Sequence, residues 1–341
     1  MTIPSSYEAG DVQGLGYSQG MIRLLTTRMV QLGTVAALAV LLACQQPAVV
    51  VPPPVVVTPP QPQGPPPKPK IALVLGGGAA RGFAHIGVIR TLEQEKIPVD
   101  LVVGTSVGSL IGAIYAADRN SFELEWTAFK LEKDDLFDFG VLSTVVGMGF
   151  AKGDKLEAWV KEHIKTSNIE QLKVPFAAVA TDLNWGQKVV LDKGSVARAV
   201  RASSAIPGVF QPVVHQGKIL VDGGVVDNIP ISVARARGAD IVIAVDISAN
   251  VGNANITNLL GVSLQAANIM FALNVEHSKR DADVLITPAV GDVGTLDFTQ
   301  KKRCMQAGIL AAQQSMPAIH QAIEKWVAAR TSGAAPASQR P

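Results

Sequence analysis

The chain lacks the features that mark several protein classes. Of its 341 residues only Cys44 and Cys304 are cysteine, and no CxxC pair occurs. That excludes a disulfide scaffold and gives no suggestion of a zinc site. An excess of charge of one sign is missing too, since 30 Lys and Arg stand against 28 Asp and Glu. Nucleic-acid binding usually asks for a clustered basic face, and this balance offers no case for one. Charged residues make up only 17% of the chain and hydrophobic ones 48%. So apolar a composition can bury a large core, which rules out disorder over the whole length. No internal repeat is visible.

The high mean hydropathy has a local source. Leu32–Ala43 is a run of twelve residues in which only Thr34 is polar. Crossing a bilayer takes about 20 residues, so the run is too short to span. It has the length of a signal-peptide apolar region, and Arg23 and Arg28 precede it as a basic segment. Residues 1–20 lack that character, and a start at Met21 or Met29 would remove them. The run ends in Leu41-Leu42-Ala43-Cys44, which resembles the lipobox of bacterial lipoprotein signal peptides. The resemblance implies that Cys44 is acylated and becomes the new N-terminus. A plain secretory signal with a coincidental cysteine is the alternative. Gln45 follows the cysteine instead of Asp, a choice that in Gram-negative lipoproteins favours the outer membrane. The expected location is thus the periplasmic side of that membrane.

Between Gln45 and Lys70 stand eleven of the chain's 21 prolines. Such a stretch can be neither helix nor central strand, and reads as an extended spacer. Its 26 residues, at about 3.1 Å each, would reach on the order of 80 Å. The end from Thr331 to Pro341 is rich in Ala, Ser and Pro and reads as a frayed tail. The expected organisation is a signal segment over 1–43, a lipidated cysteine and linker over 44–69, one domain over 70–330, and a tail over 331–341.

Within the domain, short apolar runs alternate with helical patterns. Strands are predicted at Ile71–Leu75, Val99–Val103, Phe176–Ala180, Val189–Leu191, Ile219–Val221, Ile241–Val245 and Val284–Ile286. One helix is predicted from the stripe Phe83, Ile86, Ile89 and Leu92, and a second through Leu110, Ile111 and Ile114. Others are predicted near 154–165, 195–202, 231–237, 258–279 and 303–329, the last with a break at Pro317. Near-continuous apolar strands separated by helices predict a largely parallel sheet covered on both faces, an α/β fold.

Three patches carry chemistry. Gly104-Thr105-Ser106-Val107-Gly108 is a G-x-S-x-G between a predicted strand and a predicted helix. That setting holds a serine exposed on a strained turn, and the glycines at 104 and 108 keep neighbouring atoms clear of it. Gly76-Gly77-Gly78-Ala79-Ala80-Arg81-Gly82 follows the first strand. Its backbone amides can converge on a developing negative charge at a helix start. A dinucleotide fingerprint would need glycine where Arg81 stands, and no P-loop Lys-Ser/Thr follows. A purely structural turn is the bland reading of that run. Asp222-Gly223-Gly224 closes the strand Ile219–Val221, and taken alone is more often a plain β-turn.

Together, in this order, the three patches resemble the bacterial branch of the patatin-like phospholipase family. The likeness extends to Phe83-Ala84-His85-Ile86-Gly87-Val88, to Thr181-Asp182, to Arg201 through Gly208, and on to Asn228 and Pro230. It covers about residues 70–290. The resemblance implies a three-layer α/β/α domain that hydrolyses acyl-lipid esters with a Ser-Asp dyad and no cofactor. It implies Ser106 as nucleophile and Asp222 as the base. The oxyanion hole would comprise Gly77, Gly78 and Ala79, with Gly78 and Ala79 donating and Gly77 shaping the turn. Arg81 would brace the loop, and Gly76, Gly82, Gly104, Gly108, Gly223 and Gly224 would support the turns. Ala79 replaces a glycine found in many members, a change its amide survives if φ is negative. The expected partners are membrane lipid as substrate and a lipid anchor at Cys44, with no nucleic acid.

Five histidines are rival bases: His85, His163, His215, His277 and His320. His277 and His320 follow the acid in hydrolase order but fall on predicted helices, where a triad histidine is not expected. No metal site is visible, and EDTA is expected to leave activity unchanged. Two other readings remain open: a catalytically silent scaffolding lipoprotein, and an acyltransferase or thioesterase on the same machinery.

Overall fold

Successive residues of a strand point to opposite faces, so a strand buried on both sides feeds two cores. The first strand, β1 (Ile71–Leu75), does this. Ile71, Leu73 and Leu75 enter the larger apolar cluster, and Ala72 and Val74 the smaller one. The computed structural model describes residues 68–136, 149–252 and 256–331. The expected signal segment 1–43, Cys44, nearly all of the expected linker and the residues after Thr331 lie outside the described residues.

The remaining strands are β2 (Leu101–Thr105), β3 (Gly149–Ala151), β4 (Phe176–Asp182), β5 (Gln187–Leu191), β6 (Gly208–Phe210), β7 (Val213–His215), β8 (Lys218–Asp222), β9 (Ile241–Val245) and β10 (Val284–Ile286). The helices are α1 (Phe83–Gln94), α2 (Val107–Asp118), α3 (Ser121–Phe129), α4 (Lys133–Leu136), α5 (Asp154–His163), α6 (Val196–Ser203), α7 (Ile231–Ala236), α8 (Leu259–Ser278) and α9 (Lys301–Thr331). The main sheet runs β10-β9-β1-β2-β4-β8-β7, with β5 also on β4, and β3 pairs separately with β6. Helices α1, α2 and α9 supply residues to the larger core, while α7 and Val275 of α8 supply the smaller. That gives three layers with a mixed, mostly parallel sheet.

From β10 to β4 every pairing in the main sheet is parallel. The far end, where β5 and β8 meet β4 and β7 meets β8, is antiparallel. Its strands carry exposed residues, as in Gln187 of β5 and Lys218 of β8, because an antiparallel end can face water.

The register on β4 positions the site. Ala178 and Val179 pair with both β2 and β5, so those two strands lie on opposite edges of β4. Ala180 to Asp182 pair with both β5 and β8, so β8 lies opposite β5 as well. Strands β2 and β8 therefore meet end to end along one edge of β4. Thr105 pairs with Val179 and Asp222 with Ala180, which are consecutive residues. Ser106 and Asp222 are brought together by this arrangement although 116 positions apart.

The predicted strands at 71–75, 241–245 and 284–286 match the observed bounds, and β2 lies two residues later than expected. Helix α9 does not break at Pro317 but runs through it. Pro317 and Gln313, whose carbonyl loses its partner there, are both exposed, so water can take over. Buried Ala312, Met316 and Ile319 hold the helix to the core on either side.

Candidate active site

Ser106 sits between β2 and α2 with φ 54 and ψ −128, in the region that favours glycine. The chain makes this turn because its flanks have no side chains. A Cβ on Gly104 would lie 2.4 Å from the Gly108 carbonyl oxygen, and one on Gly108 would lie 2.1 Å from that of Leu75. The turn is also pinned by hydrogen bonds. The Ser106 amide donates to Ser203 Oγ at 2.9 Å, and Ser203 Oγ donates to the Val179 carbonyl at 2.6 Å. Ser109 Oγ donates to the Ser106 carbonyl at 2.6 Å.

Asp222 ends β8 and is fully buried. Its Oδ1 accepts the Gly224 amide at 2.8 Å, while Oδ2 has no hydrogen-bond partner among the described residues. Burial pushes the carboxyl up to about 7, against the Ser106 hydroxyl and the Gly224 amide, which pull it down. The hydroxyl thus acts on the carboxylate without making an aligned bond to Oδ2. A Cβ on Gly223 would meet the Val179 carbonyl at 2.2 Å, and one on Gly224 the Phe271 ring at 2.4 Å. Asn274 of α8 donates to the carbonyls of Gly224 at 2.8 Å and Val225 at 2.9 Å, clamping the turn.

The amides of the glycine run divide into engaged and open ones. Gly76 donates to the Val245 carbonyl, Ala80 to that of Thr295 and Arg81 to that of Gly78. The Gly77 amide donates to Asn228 Oδ1 at 3.1 Å, so it is not free to hold an oxyanion and serves to shape the turn. The amides of Gly78 and Ala79 have no hydrogen bond among the described residues. The condition set on Ala79, a negative φ, is not met, since φ is 49 there, yet its amide stays open, so the sign of φ does not decide whether it can donate. The turn needs a left-handed residue at that point, which is why glycine would fit more easily.

Arg81 is buried, and its guanidinium donates to the carbonyls of Ile247 at 2.9 Å and Val293 at 3.0 Å and to Asn268 Oδ1 at 3.1 Å. It ties the glycine run to three other segments. Burial lowers it to about 10, with Cys304 and Asp246 opposing. Gly82 faces Val107, whose Cγ2 a Cβ there would meet at 2.3 Å.

Burial lowers His85 to about 4, which keeps it neutral, and its Nε2 donates to the Gly76 carbonyl at 2.8 Å. Nδ1 of His163 and of His277 each bond a carbonyl four residues back, of Trp159 and Leu273. No histidine lines the cleft at Ser106. The walls of that cleft include Val107, Leu110, Leu156, Phe210 and Leu264. Apart from Ala79 at the glycine run, Ser106 and Ser204, those walls are apolar side chains. A hydroxyl, a raised carboxyl and two open amides beside an apolar cleft can perform acyl transfer without a third side chain.

Two contributors escaped the sequence reading. Ser203 and Asn228 stood in the stretches that carried the family likeness but had no role attached. Asn228 makes a second bond to Gly77, donating from Nδ2 to its carbonyl at 3.2 Å. No local pattern signals contacts across 97 and 151 positions.

Residues 73–235 match the family model described as patatin-like phospholipase. A lysophospholipase NTE1 of Mycosarcoma maydis is 40% identical over 179 residues, 52% of this chain and 10% of that protein. An uncharacterized NTE family protein of Mycobacterium tuberculosis is 36% identical over 180 residues, 53% of this chain and 49% of that one. The chain thus spans from a tenth to about half of the length of these curated relatives. The crystal structure of VipD from Legionella pneumophila superposes with a TM-score of 0.51 at 15% identity, covering 73% of this chain and 66% of that one.

Proposed function

On the premise that residues 73–235 form a patatin-like phospholipase domain with NTE-family relatives, we propose that this chain is a serine hydrolase of acyl-lipid esters. Ser106 Oγ attacks the ester carbonyl while Asp222 Oδ2 takes its proton. The oxyanion is held by the Gly78 and Ala79 amides, and the alkoxide leaves as the alcohol once it receives the proton from Asp222. Water, deprotonated by Asp222, then attacks the acyl-enzyme, the fatty acid departs and Ser106 regains its proton. The observation that carries this reading is the buried, unpartnered Oδ2 of a carboxyl at about 7, next to a serine on a strained turn. An ordinary aspartic acid near pKa ~3.9 would be a poor base for a hydroxyl.

The apolar cleft suits an acyl chain, and the NTE1 relative is named a lysophospholipase. A phospholipid with one acyl chain is therefore the substrate we favour. The same proposal includes acylation of Cys44 and anchoring at the periplasmic face of the outer membrane, which rests on the lipobox-like Leu41-Leu42-Ala43-Cys44.

The test is hydrolysis of a short p-nitrophenyl ester and of lysophospholipid, with Ser106→Ala as control and a fluorophosphonate to trap the nucleophile. Turnover and labelling that both vanish in Ser106→Ala are expected. Undiminished turnover in that variant rejects the dyad. Cys44→Ser is expected to abolish acyl labelling and membrane fractionation while short-ester turnover persists.

A further inference from the structure

Helix α8 is apolar on two opposite faces. Its inner face buries Ala267, Phe271 and Val275, and Leu264 forms part of the cleft wall beside Ser106. Its outer face exposes Leu259 at 67%, Val262 at 50%, Ile269 at 41% and Leu273 at 58%, with exposed Ala266 between them. These positions follow a spacing of three and four, so they form one stripe along the helix. No charged residue occurs from Leu259 to Val275.

By length and composition Leu259–Asp281 could cross a membrane. Its bonds argue against that role. Asn268 accepts from Arg81, and Asn274 holds the Gly224 turn, so the helix is built into the domain. A stripe this apolar on a fixed helix belongs against an apolar phase it can touch without leaving the fold.

We infer that the outer face of α8 is the surface by which the domain docks on a lipid bilayer. This inference rests on the proposed acyl-lipid hydrolysis. A lipid substrate must bring its chain from the bilayer to the cleft, and crossing water would expose that chain. Helix α8 separates the two with its own thickness, about 10 Å. Docking on its outer face puts the bilayer one helix away from the cleft wall. Charge at the end of the stripe is balanced: exposed Glu276, the stripe's next position after Leu273, pairs with Lys279, and exposed Arg280 is followed by exposed Asp281. What commits the face to a bilayer is therefore the apolar stripe and its place against the cleft wall.

The experiment uses the full chain carrying Cys44→Ser, so that a lipid on residue 44 plays no part. Flotation with phosphatidylcholine vesicles, with and without phosphatidylglycerol, measures binding directly. The pairs Ile269→Glu with Leu273→Glu and Leu259→Glu with Val262→Glu should each weaken binding about tenfold or more. Leu310→Glu, at an exposed leucine of α9, should not. Two pairs at opposite ends of the stripe, each checked for an unchanged Tm, guard against a folding defect. Hydrolysis of vesicle lipid should fall with binding, while turnover of a soluble short-chain ester stays as it was.

Stripe variants that float as well as the parent overturn the inference. So does light scattering that shows a parent dimer becoming a monomer in the variants, because a second copy then covers the face. Binding that depends on the stripe in a protein that hydrolyses no ester sustains the docking surface and rejects the hydrolase reading.

Discussion

Asn228 holds both backbone polar groups of Gly77, accepting from its amide at 3.1 Å and donating to its carbonyl at 3.2 Å. The two bonds join the segment after Asp222 to the loop that carries the open amides. Asn228→Ala would leave two buried groups of Gly77 unpaired, a loss of about 1 to 3 kcal/mol for each. Thermal unfolding should show that loss. Steady-state kinetics should show a fall in kcat larger than the change in KM, because the loop acts on the transition state.

Asp222 links activity and stability to pH in opposite senses. Its folded-state value, about 7, lies above the ordinary 3.8. The folded protein therefore favours the protonated acid. The stability this supplies is fully present below about pH 4 and is lost as pH rises through about 7. The parent Tm should fall between pH 5 and pH 8 by an amount that Asp222→Asn abolishes. In the same window kcat/KM should rise with an inflection near 7, since the base must be ionised. A Tm profile identical in the two proteins would refute the assignment.

Ser106 stands at positive φ, and its hydroxyl acts on the Asp222 carboxylate without a hydrogen bond to Oδ2. Ser106→Gly should remove activity and raise stability by about 1 kcal/mol, through relief of backbone strain. Ser106→Ala should remove activity without that gain, because alanine keeps the Cβ. Denaturant melts of the two variants measured together separate the strain from the chemistry.

Gly108→Ala tests the turn itself. Its Cβ would lie 2.1 Å from the Leu75 carbonyl oxygen and 2.7 Å from that of Gly76, both of them backbone atoms. Neither β1 nor the glycine run can move aside cheaply. A loss of several kcal/mol, of the order seen for severe overpacking, is expected together with loss of turnover. Soluble yield and Tm report the first, ester hydrolysis the second.

Much of the parallel core was legible because β1, β9 and β10 are short apolar runs bounded by turns. Helix α3 was missed. Its Phe122 and Trp126 are exposed, so the apolar stripe that betrays a helix is displaced, although Asn120 caps it. Strands β3, β6 and β7 have three residues each, too few to show alternation. At the site, the strained turn at Ser106 was legible from Gly104 and Gly108, while Asp222 took its role from the family resemblance, because Asp222-Gly223-Gly224 alone reads as a β-turn. The φ of Ala79 was not legible, since an alanine carries no mark of the conformation imposed on it. Asn228 and Ser203 act through partners far along the chain, and spacing reveals nothing of that kind.

The end-to-end meeting of β2 and β8 on one edge of β4 makes the distance between Ser106 and Asp222 a matter of counting. Strand residues advance in steps of about 3.3 Å and alternate in facing. A deletion of one residue inside β8 would carry the carboxylate a full step along β4 and turn it to the opposite side. Lengthening the exposed turn at Asn184, Trp185 and Gly186, or the one at Gln216 and Gly217, would leave the count intact. Loops grafted onto this scaffold can therefore differ in length at those two turns, whereas β4 and β8 must keep their lengths.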